Sequence, residues 1–116
     1  MIIDLSFDFA LKIIQFAERL EEKRRYVIAR QILKSGTSVG ANIREAQNAE
    51  SKADFIHKLK IAAKEADETE YWLLLCKESY DVDNCDVLLE DCRVIIKVLS
   101  KIIASSKRKT THYSNH

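Results

Sequence analysis

The stretch KSGTSVGANIREAQ, residues 34–47, holds both glycines of a 116-residue chain, Gly36 and Gly40, with Ser35, Thr37, Ser38 and Ala41 around them. Three readings compete: a phosphate-cradling loop, a break between helices, and a helix face made small so that something can approach it. The flanking residues decide. Ile28, Ile32, Val39, Ile43 and Ala46 form one stripe at helical spacing, and Ala29, Leu33, Gly36 and Gly40 form another beside it. The period runs through both glycines, so the stretch predicts helix, although each glycine costs about 1 kcal/mol relative to alanine. This helix starts near Arg24 or Arg25 and ends near Ala49.

Phosphate-loop chemistry does not fit. A Walker loop needs Gly-x-x-x-x-Gly-Lys-Ser/Thr after a strand, whereas Ala41 and Asn42 follow Gly40 and no strand precedes it. The dinucleotide fingerprint fails as well. Two glycines one turn apart instead let a backbone or a bulky side chain sit close to the helix axis. That partner lies within the bundle or in another subunit. Asn42, in mid-helix, either faces inward and needs hydrogen-bond partners, where it would set helix register, or sits solvated at the edge.

Three further helices follow from the same period. The first runs from about Asp4 to Lys23, with Phe9, Ile13, Phe16 and Leu20 inward and Ala10, Ile14 and Ala17 widening that face. The third begins after Ser51, an N-cap with Asp54 three residues on in a capping-box-like place, and ends near Ser79. Its stripe is Phe55, Leu59, Ala62, Ala66, Thr69, Leu73 and Cys76. The fourth, capped by Asp83 or Asn84, carries Cys85, Leu88, Cys92, Ile95, Leu99 and Ile102, widened by Leu89, Ile96 and Ile103. From Ala104 the pattern stops. The expectation is an all-α, up-down-up-down antiparallel four-helix bundle over residues 1–104 and a flexible basic C-terminal tail over 105–116.

Composition agrees with that class. The chain has no proline, 47% hydrophobic and 32% charged residues. Its net charge of +1 gives no global signal for nucleic acid, so any such signal is local. Asp4, Asp8 and Lys12 interrupt the apolar opening, which lacks a signal-peptide pattern, and no run approaches the roughly 20 apolar residues of a membrane helix. A cytoplasmic location is expected. Cys76, Cys85 and Cys92 include no Cys-x-x-Cys and read as small buried apolar residues.

Catalytic and metal constellations are thin. Asp54 and His57 make one Asp-x-x-His, the second ligand pair of a di-iron bundle is absent, and His112 and His116 lie in the tail. No nucleophile sits in a recognisable context. The expectation is no enzyme, no metal and no cofactor. Basic residues form two runs, Lys23, Arg24 and Arg25 at the first junction and Lys107, Arg108 and Lys109 in the tail, with Arg30, Lys34 and Arg44 along the second helix, not all on one face. Up-down-up-down order sets the first run near the acids of the third turn (Asp81, Asp83, Asp86, Glu90 and Asp91) and the tail at the far end.

The stretch TSVGANIREAQNAESKADFIHKLKIAAKEADETEYWLLLCKE, residues 37–78, resembles the four-helix-bundle proteins encoded within intervening sequences of bacterial 23S rRNA genes, a ribosomal-protein-like family. The resemblance rests on Ser38, Ala41, Asn42, Ile43 and Glu45, then Ser51, Lys52, Asp54 and Phe55, then Ile61, Ala62, Glu65, Glu68, Thr69, Tyr71, Trp72 and Leu73. Many relatives carry a glycine soon after the Asn-Ile-x-Glu segment, where this chain has Ala46 and Gln47. The accessory protein of diversity-generating retroelements, a partner of nucleic acid and reverse transcriptase, is similar in fold. The resemblance implies a subunit that assembles, as a ring-shaped homopentamer, and no reaction.

Together these readings give the expected function: a non-enzymatic oligomer whose assembled basic surface contacts RNA or DNA, with a protein-interaction scaffold as the alternative. Tyr71 and Trp72 are amphipathic aromatics of a kind that favours interfaces. They are expected to meet the small patch of Gly36, Gly40 and Asn42, within or between subunits.

Overall fold

The computed structural model describes the backbone of residues 1–79, 82 and 84–114, and within the last helix it describes side chains as far as Arg108. Four helices account for nearly all of it: α1 (Ile2–Glu22), α2 (Tyr26–Ala46), α3 (Lys52–Ser79) and α4 (Cys85–Ser114). Each packs on its neighbours in the cyclic order α1–α2–α3–α4–α1, and the α1–α4 seam is the slightest. Short connections make successive helices antiparallel, so the expected all-α bundle is the observed one. Its extents are 58 × 22 × 21 Å.

The inward stripes are those that the period selects. Phe9, Ile13, Phe16 and Leu20 meet Ile32, Val39 and Ile43, then Leu59, Ala62, Leu73 and Cys76, then Leu88, Cys92, Ile95 and Leu99, all buried in one core. Ile14 departs from expectation: it is 39% exposed and lies outside the buried stripe of α1.

Helix ends differ from the sequence reading in instructive ways. α1 begins at Ile2 and ends in a turn where Arg24 adopts φ 64°. There Arg25 N–H donates to Leu20 O at 2.8 Å and Arg24 N–H to Glu21 O at 2.9 Å, the Schellman pattern with arginine in glycine's usual place. α2 ends at Ala46 rather than Ala49, and the following three amides tighten to i−3 carbonyls. Ser51 Oγ accepts from Asp54 N–H at 3.0 Å, the expected cap. The return bond falls one residue earlier than in a capping box, from Glu50 N–H to Asp54 Oδ2 at 3.2 Å.

Before α4 stands Asn84, whose carbonyl accepts from Leu88 N–H, while Asp83, the other expected cap, lies outside the described residues with Asp81 and His116. The expected stop at Ala104 is overturned: α4 runs on to Ser114. Loss of the apolar stripe does not end a helix that meets neither proline nor glycine. Lys107, Arg108 and Lys109 are adequate helix formers, and Ser105 and Ser106 remain half-buried.

Candidate nucleic-acid interface

α2 is held from both sides, and its outward face is what remains. Toward α1, Gly36 is buried against Ile13: a Cβ at Gly36 would stand 2.8 Å from Ile13 Cγ2 and 2.9 Å from Cγ1. A Cβ at Gly40 would stand 3.4 Å from the Ser6 carbonyl oxygen. The small patch therefore serves close approach of α1 within the chain. Within the chain, Ile13 and Ser6 of α1 meet this patch and the aromatic pair does not. Tyr71 and Trp72 sit on α3, edge to face with centroids 5.3 Å apart, and Trp72 Nε1–H donates to Glu68 at 3.3 Å. Toward α3, Thr69 Oγ1 donates to Ser35 Oγ at 2.9 Å with both residues buried.

Side-chain bonds turned back on α2 neutralise its other polar groups. Thr37 and Ser38 donate to the carbonyls of Leu33 and Lys34 at 2.7 and 2.6 Å. Asn42, half-buried, donates to Ser38 O at 2.9 Å, so it stays within its own helix and pins no neighbouring one.

Arg30, Lys34 and Arg44 fall four and ten residues apart, which places them within one narrow sector of α2, with Thr37 and Ala41 between them. The expectation that they do not share a face is thereby corrected: they form one exposed ridge along the helix. Beside it, between α1 and α2, runs a groove of about 280 Å³ lined by Ile3, Phe7, Ala10, Gly40, Ala41 and Arg44 among others. Gly40 and the alanines keep it open. Its α1 bank continues as an exposed apolar line through Ile3, Phe7, Leu11 and Ile14, with Phe7 57% exposed.

The other predicted basic residues do not join this ridge. Lys23, Arg24 and Arg25 form the α1–α2 turn, at the end of the bundle opposite the helix termini that meet near Ile2 and Ala46. Lys107 and Arg108 are exposed on the far part of α4, and the side chain of Lys109 lies outside the described ones. Near the turn end the acids are partly engaged: Asp91 pairs with Lys12 at 2.8 Å and Asp86 with Lys77 at 2.9 Å. Lys34 faces Glu65 across the α2–α3 seam and opposes the burial that raises the Glu65 pKa, a rise to which Glu68 adds. Burial also raises the thiols, Cys76 and Cys92 to about 12, which keeps them protonated and poor nucleophiles or ligands. Among the described residues no group of three or more His, Cys, Asp or Glu is placed to hold a metal ion, and His57 is exposed. No described helix is long and apolar enough to cross a membrane.

Comparison with known proteins accords with this architecture. The sequence model of the 23S rRNA-intervening sequence protein family matches residues 1–101. The fold is similar, with a TM-score of 0.83, to a crystal structure at 1.70 Å resolution of a protein of unknown function from the S23 ribosomal protein family of Bacteroides thetaiotaomicron VPI-5482. The two are 47% identical, over 89% of this chain and 98% of the other. No curated protein matches the chain.

Proposed function

Because this chain belongs to the 23S rRNA-intervening sequence protein family, we propose that it is a non-enzymatic four-helix subunit that assembles with copies of itself and contacts RNA or DNA through a basic surface of the assembly. The assembly is a ring-shaped homopentamer and the location is cytoplasmic. The observation that carries the reading is the α2 ridge: Arg30, Lys34 and Arg44 are exposed along one face, and no ion pair among the described residues engages them. A nearly neutral subunit gains little from long-range attraction, but repetition of one ridge around a symmetry axis multiplies the phosphate contacts. The apolar line on α1 supports assembly, since Ile3, Phe7, Leu11 and Ile14 form a continuous water-exposed stripe that a second copy would cover. Lys23, Arg24 and Arg25 extend the basic surface at the turn end, and Lys107 and Arg108 at the other.

The net charge of +1 favours a second reading, a protein-interaction scaffold without nucleic-acid contact. Light scattering with and without a short structured RNA, at low and moderate salt, separates them. A ring-sized oligomer that gains mass with RNA only at low salt is the expected result. An oligomer indifferent to RNA and DNA moves the assignment to the scaffold, and a monomer defeats the assembly.

A further inference from the structure

We infer that copies of this chain join head to tail: Tyr71 and Leu75 on α3 of one copy seat in the α1–α2 groove beside Gly40 and Ala41 of the next, with Glu68 against Arg44. The inference rests on the reading that the protein assembles with copies of itself, and it names the two faces that meet.

The groove calls for a projecting side chain. Ala10, Gly40 and Ala41 leave it open, Ile3 and Phe7 give it apolar walls, and Arg44 is the charged residue among those that line its 280 Å³. The acids of α1 stand elsewhere. Asp4 and Asp8 step by four to Lys12, which bonds Asp91 of α4 at 2.8 Å, so they lie across the apolar line from the groove. Set against its own counterpart, such a concave face would enclose voids.

Beyond α1, the exposed large apolar side chains among the described residues stand in three places. Tyr26 and Val27 follow Arg24 and Arg25, which repeat the charge of Arg44. Val87 and Val94 are short and lie two turns apart on α4, about 10 Å. Tyr71, Leu74 and Leu75 form one cluster, with Tyr71 55% exposed and braced edge to face by half-buried Trp72 at 5.3 Å.

This cluster also carries the charge that the groove lacks. Trp72 Nε1–H holds Oε2 of Glu68 at 3.3 Å and leaves Oε1 open, one turn from Tyr71. Asp67 and Glu78 add negative charge one and two turns from Tyr71. The cations nearby are Lys64, one turn before Glu68, and Lys34, which faces Glu65. No ion pair among the described residues engages Glu68, Asp67, Glu78 or Arg44. A braced aromatic beside an oriented charge is the make-up of an interface hot spot.

The two faces are unlike in shape and in charge, so each copy that fills one groove offers its own to another copy. Such a contact closes into a ring when the rotation allows. Lys34 and Arg30 lie ten and fourteen residues from Arg44, about 15 and 21 Å along α2, and stay open to phosphate.

The test is light scattering of the full-length protein over a range of concentrations at about 150 mM salt. Tyr71→Arg is expected to fall to the mass of a monomer and to keep its helical circular dichroism, since Tyr71 is exposed. Arg44→Glu and Glu68→Arg are each expected to weaken assembly at least about tenfold. Arg44→Glu/Glu68→Arg in one chain restores the opposite charges and should recover most of that loss.

Wild-type mass for Tyr71→Arg overturns the contact and leaves assembly standing, as two α1 faces packed on each other would require. Losses that simply add in the double variant remove the Arg44–Glu68 pairing and the head-to-tail arrangement with it. A monomeric wild type overturns both this contact and the assembly on which it rests.

Discussion

Thr69 Oγ1 stands 2.9 Å from Ser35 Oγ, a hydroxyl pair sealed inside the α2–α3 seam with both residues at 0% exposure. Thr69 also reaches the Glu65 carbonyl oxygen at 2.8 Å, whereas the Ser35 contact with Ile32 O is long, at 3.5 Å. Ser35 is therefore the dependent partner. Thr69→Val is expected to destabilise the fold by about 1–3 kcal/mol, because a buried hydroxyl loses its good partner. Ser35→Ala in the same chain should recover part of that loss. Urea unfolding of the two single variants and the double variant measures the coupling, and strictly additive losses would show that the pair does not act as a unit.

The two glycines are expected to respond in opposite directions to alanine. At Gly36 the new methyl meets the β-branched carbons of Ile13 at 2.8 and 2.9 Å, which cannot swing aside. Overpacking of about 1–3 kcal/mol outweighs the helix-propensity gain of about 1 kcal/mol, so Gly36→Ala lowers the melting temperature. At Gly40 the nearest atom is 3.4 Å away, ordinary contact, and the propensity gain prevails. Thermal melts of the two variants, compared side by side, check the sign of each. A Gly36→Ala protein as stable as the wild type would mean that α1 yields freely at Ile13.

Arg24 holds a left-handed conformation at φ 64° that costs a non-glycine residue about 1–2 kcal/mol. Arg24→Gly should therefore stabilise the α1–α2 turn by about 1 kcal/mol. The same change removes a charge from the basic run at the turn. Paired measurements of melting temperature and of salt-dependent RNA binding separate these effects: stability rises whether or not nucleic acid binds there, and a weaker salt slope appears only if Arg24 touches phosphate.

Cys76 and Cys92, buried and raised to about 12, make stability sensitive to alkali. The unfolded chain releases these protons near the ordinary thiol value of 9.0 while the folded chain keeps them. Above that pH the unfolded state binds fewer protons, so stability falls as pH rises from about 9 toward 12, and it is unaffected by these groups below that range. Urea midpoints measured across pH 9–11 should show a decline that Cys76→Ala and Cys92→Ala each reduce. The native protein should also react with an aromatic disulfide reagent at pH 8 only at the rate at which it opens, since all three thiols are buried.

Much of the bundle was legible because helical period is a local property. Phe9, Ile13, Phe16 and Leu20 announce their shared face within a few turns of chain, and the stripe from Leu59 to Cys76 does the same. The end of α4 is hidden in the sequence for the same reason. The stripe reports what is buried, and a helix can continue where nothing apolar needs burying. The candidate site was less legible. Arg30, Lys34 and Arg44 stand apart in the sequence, and their common ridge emerges from the continuous helix α2.

By itself, then, the amino-acid order determined four helices, their inward faces and the family of the chain, since backbone hydrogen bonding and the 3.6-residue repeat act within each helix. Register between helices was decided only in the folded molecule. Gly36 received Ile13 of α1, and Ser35 met Thr69 of α3. Those meetings depend on how far each helix slides along its neighbour. Packing across the seams sets that distance, and no window of sequence contains it.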